Sequence, residues 1–249
     1  MKNITRVVAF LLALTVATSA SAAEIKVLCS NGLRAVIEDL VQKFQTRTGD
    51  VVVLTYEPST QLRKRIDAGE AFDLAVLTTT LIDEEIKSGK LTAGSRTILA
   101  RSGLGLSIRS DAKKPDIRTV GAFKNALLNA ESITYATQGA SAQPFEVLVA
   151  KLGLTSQLRP KYQLRDTASE VGQAVSTGLV EIGVAPVSEI LPVRGVDLVG
   201  PFPKEIQSYV EMTGAVSASA KQADAAKTLI AFIVAPVNLP VIRAKGMER

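Results

Sequence analysis

The chain contains no histidine and no tryptophan, and Cys29 is its single cysteine. Without histidine there is no Ser-His-Asp or Cys-His catalysis, no histidine-ligated zinc, and no access to the commonest general base at neutral pH. A lone cysteine excludes an intramolecular disulfide and with it every small disulfide scaffold. Cys29 lies too far past the N-terminal apolar run for a lipoprotein cysteine, and reads as a small half-buried residue at a strand end. Aromatic residues make up only 4% of the chain, which disfavours stacking platforms for sugars. No basic face exists either. Arg63-Lys-Arg65 is a short run on an otherwise amphipathic helix, so no nucleic-acid partner is expected. Carboxylates remain, so composition leaves enzymes open, but no spacing suggests a metal ion, a cofactor or a catalytic group.

The first 22 residues are the most informative segment. Lys2 and Arg6 precede an apolar run from Val7 to Leu14, and Ala20-Ser21-Ala22 follows. A basic start, an apolar stretch too short to span a bilayer and a small-x-small site describe an export signal cleaved near Ala22. Its loss takes the net charge from +5 to +3 and leaves about 227 residues, enough for one large or two small α/β lobes. No second long apolar run follows, so the exported chain is expected to be soluble.

Beyond the signal the pattern is β-α-β-α-β-α. Ile25 to Leu28 reads as a strand, Cys29-Ser-Asn-Gly32 as a turn, and Leu33, Val36, Ile37, Leu40, Val41 and Phe44 as one apolar helix stripe closed by Gly49. Val51 to Leu54 predicts a buried parallel strand, Ser59 to Ala68 a helix, Phe72 to Leu77 a third strand and Leu81 to Ser88 a third helix. Ile98 to Ile108, broken by Gly103 and Gly105, predicts a strand or strand pair crossing between two halves. Helices near Val120 to Asn129, from Pro144 to Leu152 and from Asp166 to Thr177 alternate with strands at Ile133 to Ala136 and Glu181 to Ala185. Gly195 to Pro203 predicts a second crossing, and Ala226, Leu229, Ile230 and Ile233 mark a last helix ending at Pro236. Two α/β lobes with two crossings place βα turns on both sides of a cleft and permit hinge closure.

These segments resemble periplasmic solute-binding proteins of ABC transporters, specifically the molybdate-binding-like group. The resemblance rests on Glu24-Ile-Lys-Val running into a Ser/Asn-bearing turn, Pro58-Ser-Thr-Gln-Leu, and Ala68-Gly-Glu-Ala-Phe-Asp73. Ala100-Arg-Ser-Gly-Leu-Gly105, Gly183-Val-Ala-Pro-Val-Ser-Glu189 and Val241-Ile-Arg-Ala-Lys-Gly246 complete it. It implies a two-lobed type II periplasmic binding protein with mostly parallel, doubly wound sheets joined by a two-strand hinge. Lobe I would take 23–102 and 204–249, and lobe II 103–203. It also implies an inner-membrane ABC permease as partner, a monomer, and a ligand held by serine hydroxyls, backbone amides and one tyrosine.

Here the family's first turn serine falls on Gly32, with Ser30 close by. Its second serine falls on Pro58, flanked by Glu57 and Ser59; its tyrosine falls on Pro186; and the backbone contacts fall near Ser141 and Ala168. Proline offers no N–H, and a Glu57 carboxylate against an oxyanion is repulsive in a low-dielectric cleft. The expected ligand is therefore a small polar or anionic solute rather than molybdate in particular. Candidate ligand-binding residues are Ser30, Asn31, Gly32, Glu57, Pro58, Ser59, Ser141, Ala142, Ala168 and Pro186. Ser59 and Thr60 read equally as helix caps, and Thr78 to Thr80 as a helix start. Two rival functions share this pattern: a secreted hydrolase or lyase using Glu57 with Ser59 or Ser30, and a ligand sensor for a membrane receptor.

Overall fold

The computed structural model describes residues 22–249, so all but the last residue of the predicted export signal lies outside the described residues. The first half forms β1 (Glu24–Ser30), α1 (Arg34–Thr48), β2 (Val51–Glu57), α2 (Ser59–Asp67), β3 (Leu74–Thr78) and α3 (Thr79–Lys87). The helix stripe is the one read from the sequence: α1 buries Val36, Ile37, Leu40, Val41 and Phe44, and Gly49 ends it at φ 79°, a left-handed position that favours glycine. β1 pairs in parallel with β2 on one side and β3 on the other. Alternation along β1 then divides its side chains between two layers. Ile25, Val27 and Cys29 join the core under α1, while Leu28 joins Leu62, Ile66 and Ile82 under α2 and α3.

β4 (Thr97–Arg109) is one thirteen-residue strand, and it changes partner midway. Through Gly103 it pairs antiparallel with β8 (Tyr209–Val216); from Leu104 onward it pairs antiparallel with β6 (Ile182–Pro186) and β7 (Val196–Pro201). Before β6 come α4 (Val120–Asn129), β5 (Ile133–Tyr135), α5 (Ala142–Lys151), the short α6 (Thr155–Leu158) and α7 (Ala168–Ser176), with α8 (Val187–Ile190) after it. β5 and β6 are parallel, and the whole sheet runs β2-β1-β3-β8-β4-β6-β5 with β7 beside β4. Parallel pairing is confined to β1 with β2 and β3, and to β5 with β6. Every pairing of β4 or β8 is antiparallel, because the chain leaves the first half along one strand and re-enters it along the other.

Two stretches differ from expectation. The segment around 195–203 was expected to be only a connection, but most of it is β7, paired with β4; the return crossing is residues 202–208. No strand is expected from the sequence at 209–216, yet β8 sits centrally, between β3 and β4. The chain ends in α9 (Ala223–Ile233) and α10 (Leu239–Ala244), and Phe232 of α9 packs edge-on to Phe44 of α1 with centroids 5.5 Å apart. The second half has its own aromatic core, in which Phe145 lies against Tyr135 at 5.4 Å and Phe123 against Phe202 at 4.7 Å.

The outgoing and returning crossings are fastened by one side chain. Gln207 Oε1 accepts the Leu104 N–H at 2.9 Å, and Gln207 Nε2 donates to the Leu104 carbonyl at 3.1 Å. The amide of Gln207 therefore serves Leu104 as a strand backbone would. Gly103 must be glycine for this: a Cβ there would sit 2.8 Å from Gln207 Nε2.

Candidate functional site

At the carboxyl ends of β1, β2, β3 and β5 the chain turns into its next helix, and these turns surround a cleft of about 540 Å³. From the first half come Ser30 and Asn31, then Pro58, Ser59 and Thr60, then Thr78 to Leu81. The second half supplies Gln138 to Ala140, Gln143, Pro144, Thr167, Ala168 and Glu189, and Tyr209 to Met212 of β8 form the floor. Location follows from topology: parallel strands carry ligand sites at their carboxyl ends, where helix N-termini leave N–H groups without intrahelical partners. Neither α2, α3 nor α5 has a side-chain cap, so their first N–H groups are not satisfied that way. α7, by contrast, spends its end internally, in a capping box of Thr167 and Glu170.

The lining is rich in neutral hydrogen-bonding groups and contains no lysine or arginine. Ser59 is 7% exposed and accepts the Thr78 N–H at 3.2 Å, which leaves its own hydroxyl proton free to be donated. Thr79 shares a bond with Thr213 at 2.8 Å and reaches Glu211 at 3.4 Å, so the Glu211 carboxylate is partly engaged. Glu189 differs. It lines the cleft on α8 with no bonding partner among the described residues, and desolvation pushes its carboxyl up to about 7.

The two halves touch around this space. Gln61 on α2 donates from Nε2 to Gln138 Oε1 at 2.7 Å, and Ser188 on α8 donates to the Gly32 carbonyl at 3.2 Å. The Ser188 N–H is bound in turn by Ser102 Oγ of β4 at 3.1 Å. Gly246 also meets α8: a Cβ there would lie 2.6 Å from Val187 Cγ1.

Of the residues singled out from the sequence, Ser30, Asn31, Pro58, Ser59 and Ala168 line the cleft. Gly32, Glu57, Ser141, Ala142 and Pro186 do not. Gly32 is instead a close-contact position, where a Cβ would fall 2.4 Å from Met212 Cε. Glu57 turns to Arg65, which donates to it at 2.5 Å and holds its carboxyl below the usual range. That ion pair occupies the carboxylate which the hydrolase or lyase reading would use with Ser59 or Ser30. Ser141 is 2% exposed and caps no helix N–H with its side chain, and the Ala142 N–H is directed to the Gly139 carbonyl at 3.4 Å. Pro186 ends β6 opposite Leu104, buried in the sheet. Sequence reasoning gave no role to Glu189, Glu211, Tyr209, Met212, Gln138 or Gln143. The threonines at 78–80 combine two tasks, starting α3 and lining the cleft. Among the described residues no group of three or more acidic or cysteine side chains could hold a metal ion.

Comparison with known proteins places the fold. The periplasmic molybdate-binding protein of Azotobacter vinelandii superposes with a TM-score of 0.76 at 17% identity, over 90% of this chain and 99% of that one. The sulfate-binding protein SubI of Mycobacterium tuberculosis H37Rv gives 0.72 at 19% identity, over 90% and 86%. The molybdate-binding neighbour is a two-lobed type II periplasmic binding protein, and this chain shares that fold. In sequence, an aconitate isomerase of a Pseudomonas species is 26% identical over 227 residues, 89% of this chain and 86% of that protein. The molybdate-binding protein ModA of Azotobacter vinelandii is also 26% identical, over 98% of this chain and 97% of its own. The family model for bacterial extracellular solute-binding proteins matches residues 25–248, and the chain belongs to that family.

Proposed function

We propose that this protein is the periplasmic receptor of an ABC importer, closing its two lobes on a small polar or anionic solute and presenting it to an inner-membrane permease. The observation that carries this reading is the cleft itself, lined by βα turns from both halves and bridged by Gln61–Gln138 and Ser188–Gly32. The lobes are taken as 23–102 with 204–249, and 103–203, which is supported by the change of β4 partner after Gly103. The protein works as a monomer after cleavage of its signal near Ala22. Closure is a population shift: contacts that exist only when both lobes meet the ligand stabilise the closed form. Ser30, Asn31, Ser59, Thr79 and the first N–H groups of α2 and α3 hold the solute from one lobe, while Gln138, Thr167 and Ala168 hold it from the other.

Small-angle scattering with a broad solute panel tests this, alongside thermal unfolding, since a ligand bound only by the native state raises the midpoint. Compaction together with a higher midpoint for at least one solute is the expected result. A panel that changes neither would overturn the receptor reading. The aconitate isomerase relative motivates a second reading, an isomerase with Glu189 as its base. The absence of any cation in the lining weighs against it, because a tricarboxylate would meet two carboxylates and no positive side chain. Interconversion of cis- and trans-aconitate by the purified protein, lost in Glu189→Gln, would favour that reading.

A further inference from the structure

We propose that Glu189 is the specificity-determining residue of the cleft, and that the ligand is a small organic anion bearing a hydroxyl or ammonium donor that this carboxyl receives. The proposal rests on the receptor reading above and names the solute class it takes. Three observations carry it.

The first is the chemistry of the lining. Hydroxyls and carboxamides can donate or accept, and the first N–H groups of α2 and α3 can only donate. These face an anionic group well, since a helix N-terminus carries positive potential. Against them stand two carboxylates, and Glu211 already has Thr79 as a donor. Glu189 has none, and no lysine or arginine in the lining could supply one. A carboxyl placed in a ligand cleft without a protein donor selects for a ligand that brings one.

Position is the second. Glu189 belongs to α8 in the second half, yet its Oε1 lies 3.5 Å from where a Cβ on Gly32 would be, beside the first turn of the other half. The adjacent Ser188 is anchored to Gly32 and Ser102. The carboxyl is therefore held where the lobes meet, and it reaches a ligand seated on Ser30 and Asn31. The third observation is size. The cleft is about 540 Å³, within the range of sites that take small organic molecules. A fully ionised oxyanion has no donor to give the Glu189 carboxyl. An organic anion with its carboxylate at the helix ends and its donor at Glu189 satisfies both ends of the cleft.

The test is calorimetric titration of the full exported protein with matched pairs that differ by one donor: lactate against propionate, malate against succinate, and glutamate against glutarate, with molybdate and sulfate alongside. One donor-bearing member is expected to bind about ten- to a hundredfold tighter than its partner, the range for a hydrogen bond to a charged group. Glu189→Ala should cut that preference to about threefold or less while thermal unfolding shows the variant folded. Glu189→Gln keeps an acceptor, so it should retain a hydroxyl-bearing ligand and lose an ammonium-bearing one. Three results would overturn the proposal: tight molybdate or sulfate binding with none by the organic acids, no preference within any pair, or a preference unchanged in Glu189→Ala. Each of these leaves the receptor reading intact if scattering still shows closure. If no solute binds and none compacts the protein, the receptor reading itself fails.

Discussion

Replacing Glu189 by glutamine should stabilise the unliganded protein, and should do so only above mildly acidic pH. Burial beside the Gly32 turn raises the carboxyl from an ordinary 4.5 to about 7. The folded chain therefore holds a proton that the unfolded chain has released across that window. Stability falls as pH rises through it: no penalty exists below 4.5, where both states are protonated, and the full penalty is present above 7. At about 1.4 kcal/mol per tenfold change in proton affinity, the rise corresponds to about 3 kcal/mol. The side chain keeps some contact with the open cleft, which trims the figure to roughly 2–3 kcal/mol. Glutamine matches the shape and carries no charge to desolvate. Urea unfolding of both proteins at pH 8 should then favour Glu189→Gln by about that amount, worth about 4–12 °C in the thermal midpoint for a chain of this size. At pH 4.5 the two curves should nearly coincide, and all other titrating groups cancel in the difference. A difference equal at both pH values, or absent at pH 8, would refute the reasoning.

Three further outcomes follow from the same geometry. Gln207→Ala removes both bonds to the Leu104 backbone and should cost about 1–3 kcal/mol in urea unfolding. Gly246→Ala places a methyl 2.6 Å from Val187 Cγ1 at a position of φ 72°, so it should cost about 1–3 kcal/mol and shift scattering profiles toward a wider cleft. Gln61→Ala deletes a bond between the halves at 2.7 Å; it should leave the melting midpoint of the free protein nearly unchanged while weakening ligand affinity by about two- to tenfold.

Much of this architecture is written in local pattern. The stripe from Leu33 to Phe44, the apolar run at Val51 and the glycines that stop helices each reflect a physical need met within a few residues. The turns after β1 and β2 were legible for the same reason, and Ser30, Asn31 and Ser59 were read from them, while Pro58 came from the family resemblance. What escaped depends on distant partners. β8 alternates poorly because both its faces are covered, and Gly214 interrupts its apolar run; only β3 and β4, far away in sequence, make it a strand. Glu57 stands after a strand, where binding groups gather, yet Arg65 lies close enough on α2 to claim it. Glu189 carries no signal in its neighbours at all. Its environment comes from Gly32, more than 150 residues earlier, which packs against α8 only when the halves meet.

A cleft that holds its solute with oriented dipoles and no lysine or arginine has a consequence for how encounters begin. Dipole fields die away within a turn of helix, so they exert no pull on a solute still in bulk water. Arrival should be unassisted by positive charge, and because the lining carries Glu189 and Glu211, the association rate of an anion should rise, if it changes, as salt is added. Recognition here begins only once the solute is already inside.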